Sequence, residues 1–302
     1  MTLLDKTIVR LLPAVPKQVV QLFSARYIAG TTLDDAVDTV RRLNRVGQLA
    51  TVDVLGEELT REEEARTITQ AYCDVLMAVD REGLDSNVSV KPTAVGLGLS
   101  YELCRENLET ILREAAASRN FVRIDMEDSS TTDDTLRMYR ELRESGFDNV
   151  GVVLQAYLRR TVDDVAAFAD LNANVRLCKG IYVEPSSIAF IDADDVRENY
   201  VRALDALFDA GAYVGIATHD EWLIREGLSR VDGMDESEYE FQMLLGVRER
   251  RAAELVRDGH RLRVYVPYGE QWYQYSLRRL QENPAMAGTI AKATVDRVLG
   301  RS

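Results

Sequence analysis

Two lysines, an arginine and two acids fall where a cluster of opposite charges could do chemistry. Lys91 follows the run Asn87 to Val90, Lys179 follows Val175 to Cys178, Arg176 lies inside that second run, and Asp125 and Glu127 follow Phe121 to Ile124. The chain holds only five lysines, and two of them close β-branched runs. A buried charge is expensive unless it is paired, so cations and anions on such runs imply mutual pairing or a charged ligand. A strand-end ion pair of purely structural role would satisfy the same pattern, and a strand-end lysine is also the residue type that forms imines with carbonyl substrates. Near the C-terminus, Glu270 to Asn283 reads as a helix carrying Tyr275, Arg278, Arg279 and Glu282. Two guanidiniums arriving together clamp a carboxylate through parallel charge-assisted hydrogen bonds. The alternative is an exposed pair bridged to Glu282, one turn from Arg278.

Placing these residues together requires a repetitive scaffold. Short β-branched runs alternate with longer amphipathic segments, the pattern of a parallel sheet covered by helices. The predicted strands are Leu49 to Leu55, Asn87 to Lys91, Phe121 to Asp125, Val150 to Tyr157, Val175 to Lys179, Tyr213 to Thr218, Glu240 to Leu244 and Leu262 to Val266. Helical spacing marks Glu62 to Arg81, Tyr101 to Ala117, Thr132 to Ser145 and Val196 to Ala210 between them. Such a strand count indicates a closed (β/α)₈ barrel of the TIM type, whereas open doubly wound sheets more often stop sooner. The expectation is one domain over residues 1–302, with residues 1–45 as a helical N-terminal extension and a final helix over the barrel mouth. Barrel active sites form at the C-terminal ends of strands. In this chain those ends carry Glu57, Lys91, Asp125, Glu127, Gln155, Tyr157, Arg176, Lys179, Tyr182, Thr218, His219, Glu240, Gln242 and Tyr265.

Composition removes several alternatives. A formal charge of −13 opposes nucleic-acid binding, which needs concentrated Lys and Arg. Cys73, Cys104 and Cys178 are far apart, and only His219 and His260 are present, so neither a disulfide framework nor a metal site is expected. No G-x-S-x-G elbow or phosphate-binding P-loop occurs, and Gly96 and Gly98 lack the third glycine of a dinucleotide turn. No apolar run is long enough to span a bilayer and no secretory signal is visible, which gives an expected cytoplasmic location. Leu3, Leu4, Ile8, Val9, Leu11 and Leu12, followed by Val19, Val20, Leu22 and Phe23, form apolar helical stripes. Packing against protein is the favoured reading of them, with peripheral contact at the inner membrane face as the alternative.

Nine short stretches run in order over about residues 26–283: Leu55-Gly56-Glu57, Ser89-Val90-Lys91, Arg123 to Glu127, Gln155-Ala156-Tyr157, Arg176 to Tyr182, Ala217-Thr218-His219, Glu240-Phe241-Gln242, Tyr265-Val266-Pro267 and the helix from Tyr275 to Asn283. Together they resemble the proline dehydrogenase family. The resemblance implies an FAD-dependent barrel enzyme that oxidises L-proline to 1-pyrroline-5-carboxylate, the first step of proline catabolism, and passes electrons to a quinone. By the same resemblance, Lys91, Arg278 and Arg279 hold the substrate carboxylate, while Leu177, Tyr265 and Tyr275 wall its ring. Asp125 pairs with Lys91 and orients the amine, and Arg176 stands beside the flavin N5 edge. Met126, Gln155, Lys179, Gly180, Ile181, Thr218, His219 and Glu282 line the cofactor, and Glu57 gates the site by pairing with the last helix.

Ile181 departs from the smaller residue expected after Gly180, which would narrow the cofactor site. The segment from Tyr265 to Arg278 is shorter than in bifunctional relatives, and no aldehyde dehydrogenase domain is appended, so a monofunctional enzyme is expected. Two other readings stay open from the residues alone. One is a Schiff-base lyase or aldolase using Lys179 or Lys91, and the other is a barrel that binds an amino acid without catalysis.

Overall fold

In the computed structural model, which describes residues 26–56, 59–273 and 276, parallel strands close into a barrel in sequence order. They are β1 (Leu49–Val54), β2 (Ser86–Val90), β3 (Val122–Ile124), β4 (Val150–Gln155), β5 (Asn174–Cys178), β6 (Tyr213–Ala217), β7 (Tyr239–Leu244) and β8 (Leu262–Tyr268). Helix α1 (Leu33–Asn44) precedes β1. The crossovers are α2 (Glu62–Arg81), α3 (Tyr101–Ala117), α4 (Ser129–Glu144), α5 (Thr161–Ala167), α6 (Ala193–Asp209), α7 (Glu221–Arg230) and α8 (Glu249–Arg257). The expected (β/α)₈ barrel is therefore the observed one. Helix α4 starts three residues before the apolar periodicity does, because Asp128 caps it by accepting from the Ser130 amide at 2.9 Å. Residues 1–25 of the proposed N-terminal extension and most of the final helix lie outside the described residues.

Alternation along each strand separates two environments. Ala50, Val52, Val88, Val90, Val122, Ile124, Val152, Leu154, Val175, Leu177, Val214 and Ile216 are buried and belong to one apolar cluster with Leu76, Ile111, Met138 and Tyr200 of the helices. Their alternates are mostly polar, with Gly151, Val153 and Gly215 as exceptions: Thr51, Asp53, Ser89, Arg123 and Arg176, with Glu240 and Gln242 of β7 and Arg263 of β8, carry the polar groups of the lumen. Burial there demands partners. Arg263 Nε donates to Glu240 Oε1 at 2.8 Å, and Arg123 Nη1 donates to the carbonyl oxygen of Asn174 at 2.6 Å. Burial and, secondarily, the repulsion of Arg176 pull the Arg123 guanidinium down to about 9.

Glycines on β4 and β6 make room for these long side chains. A Cβ at Gly151 would lie 2.5 Å from Arg123 Nη1 and 2.5 Å from the Asn174 carbonyl. Gly151→Ala is accordingly expected to destabilise the fold by about 1–3 kcal/mol, the usual range for overpacking. Urea unfolding measures this directly; a midpoint equal to that of the parent would mean that Arg123 moves aside freely and that the lumen is not tightly filled.

Candidate active site

The C-terminal ends of the strands open onto a cavity of about 570 Å³. Asp125, just past β3, accepts hydrogen bonds at Oδ1 from Ser89 Oγ (2.7 Å) and Arg176 Nη1 (2.9 Å), and at Oδ2 from the Tyr265 hydroxyl (3.0 Å). Ser89, Asp125, Arg176 and Tyr265 come from four different strands or strand ends, so barrel closure is what assembles them. Arg176 Nε donates to Gln242 Oε1 at 2.5 Å, and its guanidinium carbon lies 5.3 Å from the centre of the Tyr265 ring. Among the described residues Nη2 of Arg176 has no hydrogen-bond acceptor, in a side chain that lines the cavity.

Lys91 sits beside this cluster and is held from below. Its Nζ is 2.5 Å from Asp53 Oδ2, with the two side chains 9% and 0% exposed. The hydroxyl of Tyr72, reaching in from α2, is 3.1 Å from Asp53 Oδ1 and 2.9 Å from the Ser89 carbonyl, and it accepts from the Val54 amide. Burial, followed by the charge of Asp53, pushes the Tyr72 hydroxyl well above its ordinary value, so it acts here as a neutral donor and acceptor.

The rest of the wall is mixed in character. Burial pushes the Glu127 carboxyl up, against the pull of hydrogen bonds from the Thr93 amide (2.9 Å) and hydroxyl (2.6 Å). Gln155 donates through Nε2 to the Glu127 carbonyl at 2.7 Å. Lys179 faces Asp220 at 3.3 Å, and Arg197 of α6 reaches the same carboxylate at 2.9 Å. Part burial raises the Asp220 carboxyl, but the bonds from Arg197 and Lys179 prevail and leave it below its ordinary value. His219 Nε2 accepts the Leu244 amide at 2.9 Å, which places the proton of a neutral ring on Nδ1.

Lys91, Asp125, Met126, Gln155, Arg176, Lys179, Gly180, Ile181, Thr218, His219 and Tyr265 thus line one cavity. Two expectations need correction. Lys91 pairs with Asp53 rather than Asp125, because Asp125 is turned to Arg176 and Tyr265. Leu177 does not wall the cavity: it is fully buried in the apolar cluster behind β5, and its carbonyl accepts from Tyr200 of α6. Gly180, with φ of +102°, makes its close approach to the Tyr157 ring, which a Cβ would meet at 2.0 Å. Ile181 lies at the rim, 43% exposed. Glu57, Tyr275, Arg278, Arg279 and Glu282 lie outside the described residues.

Asp53, Tyr72 and Asp220 went unassigned from sequence. Alternation carried a signal for Asp53, which sits on the lumen face of β1, two residues after Thr51. Asp220 is a helix cap whose side chain accepts from the Trp222 amide at 3.1 Å. Among the described residues no group of His, Cys, Asp or Glu is arranged to hold a metal ion, and no helix is long and apolar enough to cross a membrane. The donor set suits a flat, charged organic cofactor: amide, hydroxyl and ammonium groups at Gln155, Thr218 and Lys179 stand against apolar Met126, Val153 and Ile181.

Known proteins share this architecture and sequence. A family model described as proline dehydrogenase matches residues 36–292. Proline dehydrogenase 1 of Bacillus subtilis subsp. natto is 40% identical over 274 residues, covering 90% of each chain. The proline dehydrogenase of Deinococcus radiodurans is 36% identical over 273 residues, covering 88% of each. Among solved structures, proline utilization A from Bdellovibrio bacteriovorus, inactivated by N-propargylglycine, superposes with a TM-score of 0.80 at 25% identity. That match takes in 86% of this chain and 32% of the other, so the chain spans about a third of that protein. Agreement of strand order, length and sequence across nearly the whole chain makes it an enzyme of the proline dehydrogenase family.

Proposed function

We propose that the enzyme oxidises L-proline to 1-pyrroline-5-carboxylate with FAD as its cofactor. The observation that carries this reading is the convergence of Lys91, Asp125, Arg176 and Tyr265 on one cavity, an arrangement suited to a small zwitterion beside a redox ring. When bound, the flavin supplies the acceptor for the hydride that leaves the substrate ring. The protein supplies the remainder. Lys91 attracts the substrate carboxylate, together with Arg278 and Arg279 of the last helix, and Tyr265 and Tyr275 flank the ring. Asp125, fixed by three donors, orients the amine. That amine sheds a proton to water or a nearby carboxylate before hydride departs, since an ammonium gives up hydride poorly. Arg176 presents a fixed positive charge where negative charge develops on the cofactor.

Gln155 commits Nε2 to backbone carbonyls, which leaves Oε1 to accept from a ring N–H. Met126, Lys179, Gly180, Ile181, Thr218, His219 and Glu282 complete the cofactor's surroundings, and Glu57 closes the gate against the last helix. Family resemblance supports a quinone as the acceptor that reoxidises the flavin; the strand and helix pattern supports one domain over residues 1–302, and the composition supports a cytoplasmic enzyme, with peripheral membrane contact as the alternative to protein packing for its apolar N-terminal stripes.

A visible spectrum recorded before and after adding L-proline without oxygen tests the assignment. The purified protein should be yellow and should bleach. A colourless protein with a lysine trapped by borohydride would instead support the lyase reading, although both site lysines face carboxylates, whereas imine-forming lysines favour apolar surroundings. Bound proline without bleaching would mark a non-catalytic barrel.

A further inference from the structure

A line of polar contacts runs through the lumen to Arg176. Arg263 Nε donates to Glu240 Oε1 (2.8 Å), Gln242 Nε2 donates to the same oxygen (2.5 Å), and Gln242 Oε1 accepts from Arg176 Nε (2.5 Å). Gln242 therefore has an acceptor-only neighbour on one side and a donor-only neighbour on the other, which allows its amide one orientation. Burial raises the Glu240 carboxyl, but the charge and hydrogen bond of Arg263 outweigh this and leave it below its ordinary value, so it stays an acceptor. The reach from β7 to β5 crosses β6 at Gly215, which is in register with Arg176 on one side and Glu240 on the other. A Cβ at that position would lie 2.6 Å from Gln242 Nε2.

We infer that Gln242, oriented by Glu240, is the positioning residue that aims Arg176 without adding negative charge beyond that of Asp125. The amide passes the pull of Glu240 to the guanidinium without adding a second carboxylate beside it. Asp125 already matches Arg176 charge for charge. A glutamate in place of the amide would make the cluster net negative, where the proposed chemistry needs positive potential. This inference rests on the flavin-dependent reading above.

Gln242→Glu gives a signature that a merely structural role would not. When protonated, the new carboxyl donates to Glu240 and accepts from Arg176, as the amide does. When ionised, it repels Glu240 and leaves the cluster around Arg176 net negative. Anaerobic flavin reduction by saturating proline should therefore fall roughly 10- to 100-fold in Q242E at alkaline pH and recover toward the parent rate as pH drops. The midpoint potential of its bound flavin should move negative at alkaline pH. Gln242→Met, which keeps the volume and loses both bonds, should lower the rate at all pH values with little change in proline KM. Parental rates and potential in Q242E across the pH range overturn the inference, even should Q242M fail to fold. If the parent enzyme holds no flavin, or proline does not bleach it, the functional reading itself fails instead.

Discussion

Arg176→Met is expected to slow flavin reduction by proline roughly 100- to 1,000-fold, about 3–4 kcal/mol of transition-state stabilisation, with flavin still bound. The side chain is held by Gln242 at Nε and by Ser89 and Asp125 at Nη1, so its charge is fixed before substrate arrives. Preorganised charge of this kind acts without the reorganisation that solvent would require. Methionine fills similar space and removes the charge, leaving the Asp125 carboxylate with Ser89 and Tyr265 as its remaining donors. Arg176→Lys should recover only part of the loss, because one ammonium cannot span partners that two guanidinium nitrogens reach separately. Stopped-flow reduction under anaerobic conditions reads both variants. A methionine variant within a few fold of the parent would remove Arg176 from the catalytic machinery.

The second large effect is on stability. Asp53→Leu removes the carboxylate that pairs with the Lys91 ammonium, whose side chain is 9% exposed, and Lys91→Met removes the ammonium that pairs with a fully buried carboxylate. Breaking a buried pair by removing one partner costs about 3–5 kcal/mol, whereas replacing both partners with well-packed neutral groups is often close to neutral. Each single variant should therefore lower the urea midpoint strongly, and the double variant Asp53→Leu, Lys91→Met should regain much of the loss. Additive losses in the double variant would show that the residues contribute separately. The double variant should still bind proline poorly, since the proposed carboxylate contact of Lys91 is gone, and that separates stability from substrate affinity.

How much could be seen without coordinates follows from the range over which each physical signal acts. Helix α2 was legible to the residue because Ala65, Thr69, Tyr72, Leu76 and Val79 repeat at helical spacing between an acidic first turn and a charged end. Most strands were legible because their outward faces are rich in valine and isoleucine, as in β2, β3 and β6. Pairing was not. Lys91 lies near both Asp53 and Asp125 once the barrel closes, and the choice between them depends on register and tilt, which involve three strands at once. Tyr72 belongs to a helix that reads as a coat for the sheet, so nothing local shows that its hydroxyl reaches Asp53. Leu177 went wrong for a simpler reason. Sharing a motif with Arg176 and Lys179 suggested a shared destination, but neighbouring residues on a strand face opposite ways.

Closure of the barrel has a temporal consequence. Strand β1 finds its second neighbour only in β8, and Arg263 reaches the Ala50 carbonyl across 213 residues of chain. During synthesis the open edge of β1 must wait until β8 has left the ribosome. Such distant contacts carry a large loop-closure entropy and slow folding. An unpaired edge of this duration is open to pairing with other chains, so the interval before the eighth strand emerges is one in which a nascent chain needs shielding.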